Sequence, residues 1–324
     1  MKAIVRSVYG SPDVLELREI DRPVVGEDDV LVRVRASSVN QADLDYLTGR
    51  PLVTRLGTGL RKPRNRGLGL DVAGEVEAVG RSVKRFRPGD EVFGDLTEHG
   101  YGAFAEYACA PERAFAPKPS GLTLEEAATV PQSAILALQG LRGYGRKAGP
   151  GHRVLVNGAS GSVGPFAVQI AKSLGAHVTG VCSTAKMEMV RGLGADRVLD
   201  YTREDFTRGE RYDWILDVAG NQSVLACRRA LTPGGTYVMV GGPSGRILGT
   251  LVAGPLLSLV GSRRSGLMLW WKPFRADDVA VLTGLLEARS VVPLIDRTFP
   301  LAEVADALRY VQEGRAHGKV VITV

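Results

Sequence analysis

Asn157-Gly158-Ala159-Ser160-Gly161-Ser162-Val163-Gly164 is the stretch on which the reading of this chain turns. The apolar run Arg153-Val154-Leu155-Val156 precedes it, and a helical segment, residues 165–174, follows. A glycine-rich turn between a strand and a helix is a dinucleotide-binding pattern, here with Ala159 in the first glycine position. Gly161 lets the backbone approach a pyrophosphate, and Gly164 lets the helix pack closely on the strand. Ser160, Ser162 and Val163 complete the turn, and the first N–H groups of the helix offer partial positive charge to phosphates. The plainer alternative is a glycine-rich turn in a nucleotide-free α/β protein.

A second strand, residues 177–182, ends about 20 residues later, where this fold selects its nicotinamide cofactor. The chain reads Cys182-Ser183-Thr184-Ala185-Lys186 there: two hydroxyls and a cation, with no carboxylate to accept from ribose hydroxyls. That set suits an adenosine 2′-phosphate, and so NADPH. The alternative is a turn in which Ser183 or Thr184 caps the next helix.

Outward from the turn, strands at residues 197–200, 214–218 and 236–240 alternate with helices at 186–192 and 224–230. Continuous apolar strands separated by helices predict a doubly wound parallel sheet covered on both faces. A helix is expected over 124–140. The first 120 residues read differently, with short strands at 3–5, 30–36, 72–79 and 104–108 and turns such as Arg87-Pro88-Gly89-Asp90. They predict a small β-barrel. The tail holds a strand, helices at 279–288 and 302–313, and a last strand at 319–324. The expected division is 1–122, 123–266 and 267–324.

The 324 residues are 44% hydrophobic and 23% charged, which excludes general disorder. A net charge of +6 without a dense basic domain or recognition motif does not describe a nucleic-acid binder. Three cysteines, none in a Cys-x-x-Cys pair, are too few for a disulfide scaffold and favour a reducing, cytoplasmic setting. The N-terminus reads as no signal peptide. Residues 247–260 are apolar but broken by Gly249, Gly254 and Pro255, too short for a span, and are expected to be buried or interfacial. Residues 50–66 carry Arg50, Arg55, Arg61, Lys62, Arg64 and Arg66 with no acid, and read as a basic loop. Three readings of it stand: attraction of an anionic substrate such as an acyl-CoA, contact with a membrane surface, or a solvated lid. Membrane contact is not the expectation for the chain as a whole.

Several runs in order resemble the medium-chain dehydrogenase/reductase superfamily, and more narrowly its zinc-independent quinone oxidoreductase branch. They include Gly69-Leu70-Asp71-Val72-Ala73-Gly74-Glu75-Val76, Arg87-Pro88-Gly89-Asp90-Glu91-Val92, the phosphate turn, Leu193-Gly194-Ala195-Asp196, Asp217-Val218-Ala219-Gly220 and Gly318-Lys319-Val320-Val321. The resemblance implies a GroES-like barrel from both ends of the chain, an inserted Rossmann domain, NADPH, and a homodimer through the Rossmann edge. It implies that Ser183, Lys186 and Tyr201 hold the 2′-phosphate end, that Ala219, Gly220, Gly241 and Gly242 line the path to the nicotinamide, and that Asn40 lies near the reacting ring.

The departures from the superfamily carry as much weight. Where zinc-dependent relatives carry cysteine and histidine ligands, this chain has Val39-Asn40-Gln41-Ala42-Asp43 and Leu70-Asp71-Val72, so no metal is expected. Asp45 stands where the branch often has a tyrosine, with Tyr46 one residue later, and Leu136 stands where it often has a threonine. Asp43 and Leu136 are expected at the substrate end, with Asn40 and Tyr46 as donors to a developing oxyanion; Tyr46 packed on the barrel is the alternative. A reductase of quinones or enones is the leading expectation. A non-catalytic NADPH-binding scaffold and a zinc-free dehydrogenase of another carbonyl are the competing ones.

Overall fold

Packing within the computed structural model, which describes all 324 residues, separates two compact units. The first unit comprises residues 1–132, 273–283 and 293–324. The second comprises 133–272 and 284–292. The expected cuts after 122 and 266 therefore fall at 132 and 272. Residues 123–132 stay with the barrel because a short helix there packs on barrel strands, and because the Gln132 N–H donates to Asp71 Oδ1 at 3.0 Å.

The first unit begins with the hairpin β1 (Lys2–Val5) and β2 (Glu16–Glu19). The long strand β3 (Asp29–Val39) leads into helix α1 (Gln41–Thr48). Residues 50–66, read as a loop, contain one short helix, α2 (Thr54–Thr58). β4 (Asp71–Val79), β5 (Glu91–Asp95), β6 (Tyr107–Pro111) and β7 (Phe115–Pro117) follow. At the β4–β5 turn Gly89 adopts a φ of +94°, and Asp90 Oδ2 accepts from the Arg87 N–H at 2.9 Å. The strand expected at 104–108 sits three residues later, because Ala105 makes only an isolated bridge to Ala3.

The helix expected over 124–140 is two helices, α3 (Leu124–Ala128) and α4 (Pro131–Gly140). Pro131 has no N–H to continue α3 and disfavours helical backbone in the residue before it. A small hairpin, β8 (Arg142–Gly143) and β9 (Arg146–Lys147), comes next. The second unit then runs β10 (Arg153–Asn157), α5 (Gly164–Ser173), β11 (His177–Cys182), α6 (Met187–Gly192), β12 (Arg197–Asp200), β13 (Tyr212–Asp217), α7 (Val224–Arg229), β14 (Leu231–Met239), α8 (Ser244–Ser258) and β15 (Arg264–Leu267). The sheet order is β12-β11-β10-β13-β14-β15, every pair parallel. This is a Rossmann sheet whose order reverses between β10 and β13. Val154, Leu155, Val156, Ile215 and Leu216 are fully buried, as strands covered on both faces require.

α9 (Ala276–Glu287) precedes the return to the first unit with β16 (Ile295–Pro300), α10 (Val304–Gln312) and β17 (Lys319–Thr323). The GroES-like sheet has the order β16-β17-β3-β4-β5-β7, with β6 also paired to β3. β17 is thus an interior strand, antiparallel to β3 and parallel to β16.

Candidate active site

In the second unit the candidate cofactor residues are assembled by strand register. Asn157 lies beside Val181 of β11 and Asp217 of β13, and Asp217 beside Met239 of β14. The turns after these strands therefore emerge at one edge of the sheet. That brings together Ser160, Gly161, Ser162, Val163 and Gly164, the Ser183 segment, Ala219-Gly220 and Gly241-Gly242. Open α/β sheets bind ligands at this edge, beside the strand-order reversal.

Local geometry fits a dinucleotide there. A Cβ on Gly164 would stand 2.2 Å from the Gly158 carbonyl oxygen, so helix and turn approach too closely for any side chain. A Cβ on Gly161 would meet only that same oxygen, at 3.7 Å, which leaves the space above Gly161 open. α5 opens at Val163 without a side-chain cap, so its first N–H groups remain available to an anion. Gly220 (φ +60°) and Gly242 (φ +136°) press together, a Cβ on the first lying 2.8 Å from the Cα of the second.

Beneath this floor lies a network that the sequence reading missed. Asn157 Nδ2 donates to Asp217 Oδ1 at 2.7 Å and to Asn221 Oδ1 at 2.8 Å. Asp217, wholly buried, also accepts from the Gly220 N–H at 2.7 Å and from Tyr237 Oη at 3.0 Å. Burial raises its pKa, while these three hydrogen bonds act the other way. The network ties β10 to β13 where the order reverses and sets the Gly220 turn.

At the end of β11, Ser183 makes no side-chain capping bond, which removes one alternative reading of that residue. The Thr184 hydroxyl is instead spent on Asp200 Oδ2, so it does not stand ready for a phosphate. Asp200 is further satisfied by the Thr202 N–H and hydroxyl at 2.9 and 2.7 Å. Lys186 is half-buried nearby, and Tyr201 is 53% exposed. Leu136 is half-buried on α4.

In the first unit a separate polar cluster centres on Asn40, at the junction of β3 and α1. Its N–H donates to Asp43 Oδ2 at 2.8 Å, and Asp43 Oδ1 accepts from the Gly69 N–H at 3.2 Å. Asp43 is fully buried, with both oxygens held by backbone; it shapes the α1 entry and presents nothing to a substrate. Burial, with Asp71 adding to it, pushes its pKa up to about 7, while those N–H groups and Lys319 act the other way. Asn40 itself is 2% exposed, with Nδ2 donating to Asp71 Oδ2 at 2.9 Å and Oδ1 accepting from Lys319 Nζ at 2.6 Å. Lys319 also pairs with Asp71 at 3.3 Å, and both are buried.

Tyr46 is half-buried and stacks on Tyr101, ring centroids 4.8 Å apart; burial first, then Tyr101 and Asp43, raises its pKa. Arg6 donates Nη1 to the Tyr46 carbonyl oxygen, while its Nε and Nη2 are buried without partners. Lys319, Arg6 and Tyr101 were not found from sequence as site residues. The available signals were a lysine opening the run Val320-Val321-Ile322 and an arginine closing Ala3-Ile4-Val5.

The residues around Asn40 do not fit zinc. Zinc takes cysteine, histidine and carboxylate ligands in a compact set. Here an amide and one carboxylate surround an ammonium group, and no group of three or more His, Cys, Asp or Glu is placed to hold a metal ion.

Comparison with known proteins agrees with this architecture. Residues 26–120 match the alcohol dehydrogenase GroES-like domain, and residues 193–322 match a family described as zinc-binding dehydrogenase. The chain is 34% identical to the human mitochondrial NAD(P)H oxidoreductase RTN4IP1, covering 100% of this chain and 89% of that protein. It is 33% identical to the 2-methylene-furan-3-one reductase of Solanum lycopersicum, covering 99% and 79%. The solved quinone oxidoreductase of Coxiella burnetii superposes with a TM-score of 0.86 at 28% identity, covering 100% and 99%.

Proposed function

The chain belongs to the medium-chain dehydrogenase/reductase superfamily, in its quinone oxidoreductase-like branch, and is a nicotinamide-dependent oxidoreductase; from that premise we propose a zinc-independent, NADPH-dependent reductase of quinones or of alkenes conjugated to a carbonyl. The carrying observation is the Lys319 ammonium held between Asn40 and Asp71. A buried cation at that place leaves no ligand set for a Lewis acid, so the acceptor must be electrophilic by its own structure. Relatives bear names in the same direction, a furanone reductase and an alkenal/one oxidoreductase among them.

When bound, the reduced nicotinamide supplies the hydride. The chain supplies position. Gly161 and the opening N–H groups of α5 take the pyrophosphate, and Ser183 and Lys186 take the 2′-phosphate. The Tyr46 hydroxyl, a phenol protonated at neutral pH whose pKa burial raises further, is the donor to the developing oxyanion. Asn40 is a positioning residue that holds the start of α1. The outer face of α8 exposes Leu248, Leu251, Val252 and Leu256, each at least 40%, beside the open edge of β15. An apolar helix face beside an unpaired strand supports a homodimer through this edge. Three free cysteines suit a reducing, cytoplasmic setting, and no helix is long and apolar enough to cross a membrane.

The test is NADPH absorbance against a panel of quinones, enones, enoyl thioesters and aldehydes. Turnover confined to the first two supports the proposal. Tight NADPH binding with no turnover on any acceptor would leave a non-catalytic cofactor-binding protein.

A further inference from the structure

The basic segment 50–66 is not a loose loop. Tyr9 Oη lies 2.8 Å from Thr58 Oγ1 and donates to the Gly59 carbonyl at 2.6 Å. Arg55 stacks over the Tyr9 ring and donates Nε to the Gly49 carbonyl at 3.1 Å. The Arg64 N–H closes on the Thr58 carbonyl at 2.8 Å, and Thr58, Gly59 and Pro63 are buried. So pinned, the segment turns its apolar side chains away from the protein. Leu52, Val53, Leu56 and Leu60 are 70%, 66%, 68% and 68% exposed. Leu52 and Val53 stand just before α2, Leu56 lies within it and Leu60 follows its closing Gly59, so the four cluster around one short helix. Arg50, Arg61, Lys62, Arg64 and Arg66 are exposed around them, the segment contains no acid, and none of the five forms an ion pair.

We propose that residues 50–66 dock this protein on an anionic lipid surface, with the four apolar side chains entering the headgroup boundary and the surrounding cations meeting lipid phosphates. Two features must be accounted for together. A soluble polyanion satisfies the cations and leaves four large apolar groups in water. An ordinary apolar protein contact covers those groups and leaves five unpaired cations at its rim. A bilayer interface rich in anionic lipid takes both, since hydrocarbon lies directly beneath the charged headgroups. The inference is independent of the proposed reaction, because it needs neither cofactor nor acceptor.

The experiment is co-sedimentation of the full chain with phosphatidylcholine vesicles, with and without 30 mol% (~) phosphatidylglycerol. Binding is expected on the anionic vesicles and at least about tenfold weaker on the neutral ones. R61Q/K62Q/R64Q should lower the partition coefficient about hundredfold, at about fivefold per cation. L56S/L60S should lower it about tenfold with no change in melting temperature, since both side chains already face solvent. Wild-type protein that fails to sediment with anionic vesicles overturns the proposal. So does L56S/L60S binding as well as wild type, which would reduce the segment to a site for polyanions. A change of oligomeric state in L56S/L60S would assign the face to a second copy of the chain instead.

Discussion

Lys319 Nζ stands 2.6 Å from Asn40 Oδ1, a hydrogen bond that joins residues 279 positions apart and carries a buried positive charge into the barrel. Asp71, 3.3 Å away, is a carboxylate partner of the same ammonium group. Removing one member of a buried pair leaves the other uncompensated. Lys319→Met should therefore cost about 3–5 kcal/mol, read as a lower urea midpoint. Adding Asp71→Asn should recover part of that loss. A double variant whose loss equals the sum of the two single losses would show that the pair is not coupled.

Asp95, opposite Asp71 across β4 and β5, has Oδ2 buried without a partner. Burial, followed by repulsion from Asp71, pushes its pKa up to about 7. Between the ordinary carboxylate range and pH 7 the folded chain holds a proton that the unfolded chain has released. Stability is thus greater at the acid end of that window and is lost as pH rises through about 7. Asp95→Asn should flatten this dependence, so that its melting temperature gains on wild type from pH 5 to pH 8 (~). A constant difference across that series would exclude the titration.

Two glycines of the same turn, Gly161 and Gly164, should behave oppositely. Gly164→Ala forces a Cβ to 2.2 Å from the Gly158 carbonyl, and its melting temperature should fall by several degrees. Gly161→Ala meets nothing nearer than 3.7 Å, so the fold should tolerate it. The new methyl group would stand where a phosphate approaches, and NADPH affinity should drop about tenfold or more at unchanged melting temperature. Fluorescence titration and thermal melts of both variants check the pair.

Lys186→Asp should weaken NADPH binding roughly ten- to hundredfold, the scale of a lost charge-assisted hydrogen bond. NADH, which lacks the 2′-phosphate, should change little. Equal losses for the two cofactors would place Lys186 outside the phosphate site.

Much of the fold is legible in sequence because its signals are local. The strand, turn and helix around Gly161 and the apolar runs of β10, β11 and β13 each lie within about ten residues. The β-rich start is equally readable, although bridging at Ala105 displaces β6 and Pro131 divides one expected helix. Residues 247–260, expected as buried or interfacial, lie up to Ser258 in a helix with one packed side and one open side; composition alone gives no such direction, because the run is apolar all round. The site is less legible for a different reason. Lys319 and Asn40, or Arg6 and Tyr46, meet only after strands from distant parts of the chain have paired, and no spacing rule reaches across 279 residues. Thr184 illustrates the converse: its type suits a phosphate, but Asp200, 16 positions on, claims its hydroxyl.

The interior position of β17 bears on how the protein is made. A ribosome delivers β3 and β4 long before residue 319, so the nascent barrel has a gap beside β3 and no lysine for Asn40 and Asp71. The six Rossmann strands, all complete by Leu267, need nothing from that tail for their own pairing. Vectorial synthesis thus favours the nucleotide-binding unit as the earlier to mature, with barrel closure deferred until residues 319–323 have been translated. A stop codon just before residue 319 would remove the keystone of the barrel's sheet while sparing every strand of the other one.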